Sequence, residues 1–244
     1  MNDCRWAAAA VLAVAFGLAG SRASVRAAVH TPAFDQARDL ELAARQRPFT
    51  NAEIGQLVSL SHDREWEVRV RALTALRHVA NPEQKSQAVK AMREALTDPQ
   101  KVVRVYAITG LGSLGDLGVI PVLEPYARDP DSVVRIEADR SMGKLYLRGG
   151  ETHQAISAAE AALHVSDVDP AFLIPPTRDL VAACQKAGKP EAAVSFVQGL
   201  LVHDPTNHSY MEMLAIAYEG AGQPDKAAEW HRKAHAFVTS PSRG

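Results

Sequence analysis

Apolar and polar positions alternate along this chain with a helical period. Val103, Ala107, Gly110, Leu111 and Leu114 share one helix face. The same spacing appears in three segments that align without gaps: Asp63 to Leu76, Asp98 to Leu111 and Asp129 to Met142. Each opens with Asp, has Arg six residues on (Arg69, Arg104, Arg135), and then Ala three later (Ala72, Ala107, Ala138). A small residue follows (Ala75, Gly110, Ser141), and then Leu76, Leu111 or Met142. Second helices follow the first. Asn81-Pro82 and Pro121 mark their starts, because proline suits a first turn, and Gln87 to Leu96 and Val119 to Ala127 supply their apolar faces. These units recur 35 and then 31 residues apart, with the extra residues between His78 and Lys85.

A second period takes over from about residue 136. Gly188 and Gly222 stand 34 residues apart, as do Leu180 and Leu214, and Ala193 and Ala227. Gly150 precedes Gly188 by 38, so about four residues are inserted around Ser166 to Pro176. The helix from about Ser132 to Arg148 satisfies both periods. Val134-Arg135 and Ala138 follow the first, while Met142-Gly143 and Tyr146 follow the second. The expectation is one continuous solenoid with no linker between its halves. Ahead of the array, Phe34 to Arg45 and Ala52 to Ser61 predict a leading helix pair. Thr50 and Glu53 form a capping box for its second helix.

The first set of repeats, residues 50–148, resembles HEAT repeats of the short, phycobilisome-lyase-like type. Asp98-Pro99, Val103-Arg104, Leu111-Gly112, Leu114-Gly115-Asp116 and Ile120-Pro121-Val122-Leu123 carry the resemblance. It implies a ladder linking successive repeats through Asp63/Arg69, Asp98/Arg104 and Asp129/Arg135, a structural role. The second set, residues 136–239, resembles the tetratricopeptide repeat in Met211, Leu214-Ala215, Tyr218, Gly222, Ala227, Trp230 and Ala234. Thr177, Met211 and Cys184 depart from the aromatic residues usual at their places. The fold class is therefore all-α, a right-handed α-α superhelix of HEAT-like pairs continuous with tetratricopeptide-like pairs.

Composition narrows the picture. Apolar residues make up 47% and aromatics 6%, so the core is built of Ala, Leu and Val, which suits close helix packing. A net charge of −1 gives no whole-molecule field for nucleic acid, and no aromatic and basic ribbon points to RNA. At the N-terminus, Arg5 precedes an uncharged run from Trp6 to Gly20, and Ser21-Arg22-Ala23 offers small residues for cleavage. Residues 1–23 are thus expected to be a signal peptide, followed by an N-terminal segment with a leading helix over residues 24–49. That makes the protein exported, periplasmic or secreted, or membrane-tethered if the run is kept. The run is 15 residues long, short for a membrane span. Ser21 stands where a lipoprotein would need Cys, and residues 240–244 are expected to fray.

The chemistry follows from this frame. In the tetratricopeptide resemblance the first helix of each pair lines a concave groove. Arg140, Lys144 and Arg148, spaced by four, form a basic stripe turned toward it, and Arg178 and Lys186 hold equivalent places one repeat later. Such a groove suits an acidic peptide or a free carboxylate. The alternative is a solvated face neutralised by Glu137 and Asp179. The chaperone-binding carboxylate clamp is not expected, since Lys144 and Ala182 replace its Asn residues. His231 and His235, four apart, have a metal-compatible spacing but no Glu of the metalloprotease kind between them, so packing and surface roles are favoured. Cys184 is expected to be a small core residue. With no phosphate loop, nucleophile elbow or paired zinc cysteines, no catalytic, cofactor or metal site is expected. The expected function is a non-catalytic protein- or peptide-binding scaffold of the cell envelope. The competing reading is an enzyme or accessory of the lyase- or hydroxylase-like short-HEAT type.

Overall fold

A computed structural model describes residues 31–239 apart from 45 and 166. The expected signal peptide, with Cys4, and the expected frayed tail lie outside the described residues. Twelve α-helices and three short 3-10 segments make up the described chain, with no strand among them. The helices are α1 (Pro32–Ala43), α2 (Asn51–Leu60), α3 (Trp66–Leu76), α4 (Pro82–Ala95), α5 (Lys101–Leu114) and the single turn α6 (Ile120–Leu123). After them come α7 (Ser132–Gly149), α8 (Thr152–Leu163), α9 (Ile174–Lys186), α10 (Pro190–His203), α11 (His208–Gly220) and α12 (Pro224–Thr239). The fold is an α solenoid.

Local chemistry fixes the ends of these elements. The Thr50 hydroxyl accepts from the Glu53 amide while the Glu53 carboxylate accepts from the Thr50 amide, so both halves of the expected capping box form. Asn81 caps α4 and Pro82 takes its first position, where no backbone donor is needed. Gly150, Gly188 and Gly222 each close a first helix with a positive φ of 68–85°. In each case the next residue's amide donates to a carbonyl five back: Glu151 to Tyr146, Lys189 to Cys184 and Gln223 to Tyr218, all at 2.9 Å. The glycine period read from the sequence is thus a period of left-handed helix stops. The expected insertion near residue 170 contains the 3-10 turn Pro170–Leu173.

Helices α1, α3, α5, α7, α9 and α11 touch their neighbours in order and form one row. The second row is α2, α4, the 117–128 turns around α6, α8, α10 and α12. These lean mainly on the first row rather than on each other. Two buried clusters run along the solenoid. One extends from Ala37 to Leu145, the other from Ile136 to Ala234. Both draw on α7, which carries Val134, Ala138, Met142 and Leu145 into the first and Ile136 into the second. Helix α7 is therefore common to both clusters. Cys184 is fully buried in the second cluster, and burial raises its thiol pKa.

Candidate functional site

The structure places the six ladder residues on one edge of the solenoid, with a bonding pattern the sequence did not specify. Each Arg donates to the backbone carbonyl of the Asp six residues earlier: Arg69 to Asp63 at 2.8 Å, Arg104 to Asp98 at 3.0 Å and Arg135 to Asp129 at 2.9 Å. The three Asp carboxylates meanwhile accept the amides of Glu65, Gln100 and Asp131, turning the chain into the helix. Links between repeats differ at each step. Arg69 grips Asp98 with two bonds at 2.7 and 2.8 Å, and both side chains are nearly buried. At the next boundary the crossing pair is Lys101–Asp131 at 2.8 Å, while Arg104 stays within its own repeat. At the third, Arg135 reaches Asp167, which also accepts from Ser132. Asp167 lies in the four-residue insertion, where the repeat register gives no reason to look for a partner.

The basic stripe faces the first-row surface but divides into parts. Arg140 is held between Glu137 at 2.7 Å and Asp179 at 2.8 Å, with side-chain exposures of 14%, 14% and 21%. Burial works against its charge, yet the two carboxylates outweigh that and raise its pKa. The neutralising acids named as the alternative therefore do pair with Arg140. Arg178 is exposed and does not line the same depression as the others.

Lys144, Arg148 and Lys186 do come together. With Gly112, Ser113 and Leu147 they line an open depression of about 360 Å³ spanning α5, α7 and α9. No carboxylate is among its lining residues. Lys186 donates to the Leu147 carbonyl at 2.5 Å, and the Arg148 guanidinium lies against Gly115, the left-handed stop of α5. Lys144 is half-buried. Burial lowers its pKa first, Arg140 adds to that, and Asp179 and Glu137 pull the other way. A partly desolvated ammonium that shares this depression with two further cations gains from a bound anion, which supplies hydrogen bonds and opposite charge.

His231 and His235 do not converge on a metal-binding arrangement. Both ring nitrogens of His231 meet carboxylates of α11, Nδ1 with Glu212 at 2.9 Å and Nε2 with Glu219 at 3.2 Å. His235 is exposed. Among the described residues, no three His, Cys, Asp or Glu side chains are grouped to hold a metal ion. Burial lowers the His231 pKa, but the two Glu bonds outweigh it and the net shift is upward. A raised folded pKa stabilises at pH below the unfolded value, near 6.5, and is lost as pH rises through the folded value. His231→Gln is thus expected to cost at most about 1 kcal/mol at pH 5, because the pair is partly exposed. Urea unfolding of both proteins should show that gap closing above neutral pH; a gap constant with pH would contradict the assignment.

A model described as HEAT repeats matches two overlapping stretches, residues 54–143 and 89–171. The chain is a helical repeat protein. The HEAT repeats found run through residues 54–171, past residue 148 where the resemblance read from the sequence ended, and take in α8. A solved structure of an engineered protein is 18% identical, covering 83% of this chain and 94% of that one, with a TM-score of 0.47. No curated protein matches. Among the described residues, no helix is long and apolar enough to cross a membrane.

Proposed function

We propose that this solenoid is a non-catalytic scaffold of the cell envelope whose last pairs are of the tetratricopeptide type, and that it binds an acidic segment of another protein along its first-row face. The observation that carries this reading is the basic depression shared by α5, α7 and α9, with three cations and no acid in its lining. Its walls come from helices locked to each other by packed small residues and ion pairs, so little ordering is required on binding. Opposite charge steers encounter and fixes register more than it adds affinity. Export is supported by the N-terminal pattern of Arg5, the Trp6 to Gly20 run and Ser21-Arg22-Ala23.

The test is the triple variant Lys144→Glu, Arg148→Glu, Lys186→Glu against a set of fluorescent acidic and basic peptides. Arg140 is left intact, because reversing it would set three negative charges together in a half-buried place. Wild-type protein is expected to prefer acidic peptides, with affinity falling as salt rises. The triple variant should lose that preference by at least ~30-fold while its far-UV circular dichroism is unchanged, since three exposed or half-exposed contacts of up to about 1 kcal/mol each disappear and become repulsive. Equal binding of acidic and basic peptides by the wild type would overturn the reading.

A further inference from the structure

One buried ionisable group belongs neither to the ladder nor to the depression. Asp139 lies on α7 at the place equivalent to Leu73 and Ile108, four residues after the repeat Arg in each case. Leu73 and Ile108 are completely buried core residues, and Asp139 is 8% exposed. A carboxylate therefore takes a core aliphatic position, on the one helix that feeds both hydrophobic clusters. Its side chain makes no hydrogen bond or ion pair among the described residues.

The surroundings give it little help. Helix α7 packs on α5, α8, α9 and the turns around α6. The charged groups nearby are committed elsewhere: Asp179 of α9 to Arg140, Lys186 to the Leu147 carbonyl, and Asp167 to Ser132 and Arg135. Glu160 of α8 acts on Cys184. Arg135, one turn earlier on α7, is the group whose field reaches Asp139, and its guanidinium is already bonded to Asp129, Pro130, Ser132 and Asp167.

We propose that Asp139 is a proton-operated coupling between the two cores of the solenoid, loosening the junction helix when ionised and tightening it when protonated. An ionised carboxylate in that position has no donor and only the little water that 8% exposure admits, so the folded chain relieves it by opening the packing around α7. A protonated one is neutral and escapes most of that desolvation cost, although it is smaller than the aliphatics at the equivalent places. Burial raises its pKa to about 6, and Arg135 only partly opposes this. With a folded pKa above the unfolded one, the penalty is absent below the unfolded value and complete above the folded value, so the chain is stabilised as pH falls from about 7 to 4. The junction would then be stiffer in a mildly acidic compartment.

The experiment compares the full chain with Asp139→Asn and Asp139→Leu by urea unfolding from pH 4.5 to 8, and by hydrogen exchange of α7 and α9 amides. Relative to either variant, the wild-type folding constant is expected to rise ten- to a hundred-fold on acidification, roughly the one- to two-unit shift converted through linkage. Amides of α7 and α9 should gain protection at low pH in the wild type, beyond the intrinsic slowing, and not in the variants. Asn keeps the shape without the charge and guards against a Leu variant that repacks. If wild type and both variants share one pH profile, or if protection at α7 does not depend on residue 139, the coupling is excluded.

Discussion

Asp98→Ala is expected to be among the more damaging single changes in the first half of the solenoid, lowering stability by about 3 kcal/mol. Asp98 has two duties at once. Its carboxylate holds Arg69 of the preceding repeat by two bonds and accepts the Gln100 amide that starts α5. Exposures of 12% and 10% for the two side chains mean that the Arg69 charge would be left with little water. The loss is kept to the low end of the range for a broken buried pair, because Arg69 retains the Asp63 and Arg64 carbonyls. Urea denaturation measures it, and a cycle with Arg69→Met should be strongly non-additive. A loss below about 1 kcal/mol would mean that the pair behaves like an exposed salt bridge. Asp63→Ala is the control, since that carboxylate accepts only the Glu65 amide among the bonds resolved here and should cost about a helix cap.

Gly112→Val is expected to be another, at about 3 kcal/mol, and to act on binding as well as stability. A Cβ at Gly112 would sit 2.7 Å from Ser141 Cβ and 2.9 Å from Ser141 Cα, so the obstacle is the backbone of α7 itself. Helices α5 and α7 would have to separate. Gly112 also lines the basic depression, and α7 brings Lys144 and Arg148 into it. Thermal melting should therefore drop and acidic-peptide affinity should fall with it. Gly110 provides the contrast. Its Cβ would meet the terminal Cε and Sδ of Met92, a flexible side chain that can turn aside. Gly110→Ala also gains helix propensity of up to about 1 kcal/mol, so it is expected to be nearly neutral. If the two glycines respond alike, close approach of α5 to α7 is not what Gly112 provides.

The candidate site was legible in part. Spacing by four along α7 placed Arg140, Lys144 and Arg148 on one stripe, and the structure does turn that stripe toward the first-row face. What spacing cannot show is which charges find partners across helices. Arg140 meets Asp179 thirty-nine residues away, and Lys186 reaches back the same distance to the Leu147 carbonyl. Those meetings depend on how far α9 slides along α7, which the inserted residues before α9 help to set. Asp167 in the ladder has the same origin, and so does the division of the stripe into a neutralised half and a basic half.

By itself, the sequence determined most of the helices and several of their ends, because periodicity, Pro at first turns, Gly at stops and the Thr50–Glu53 box act within a few residues of each other; the exception is the second helix expected over Val119 to Ala127, which is one α turn between two 3-10 segments. Only the tertiary structure decided which carboxylate answers which cation, and that Arg104 does not cross to its neighbour where Arg69 does. Only the tertiary structure likewise decided that Asp139 is buried without a partner. An ion pair needs its partners within about 4 Å, and over such distances a small shift between packed helices makes or breaks it, while hydrophobic burial tolerates the same shift.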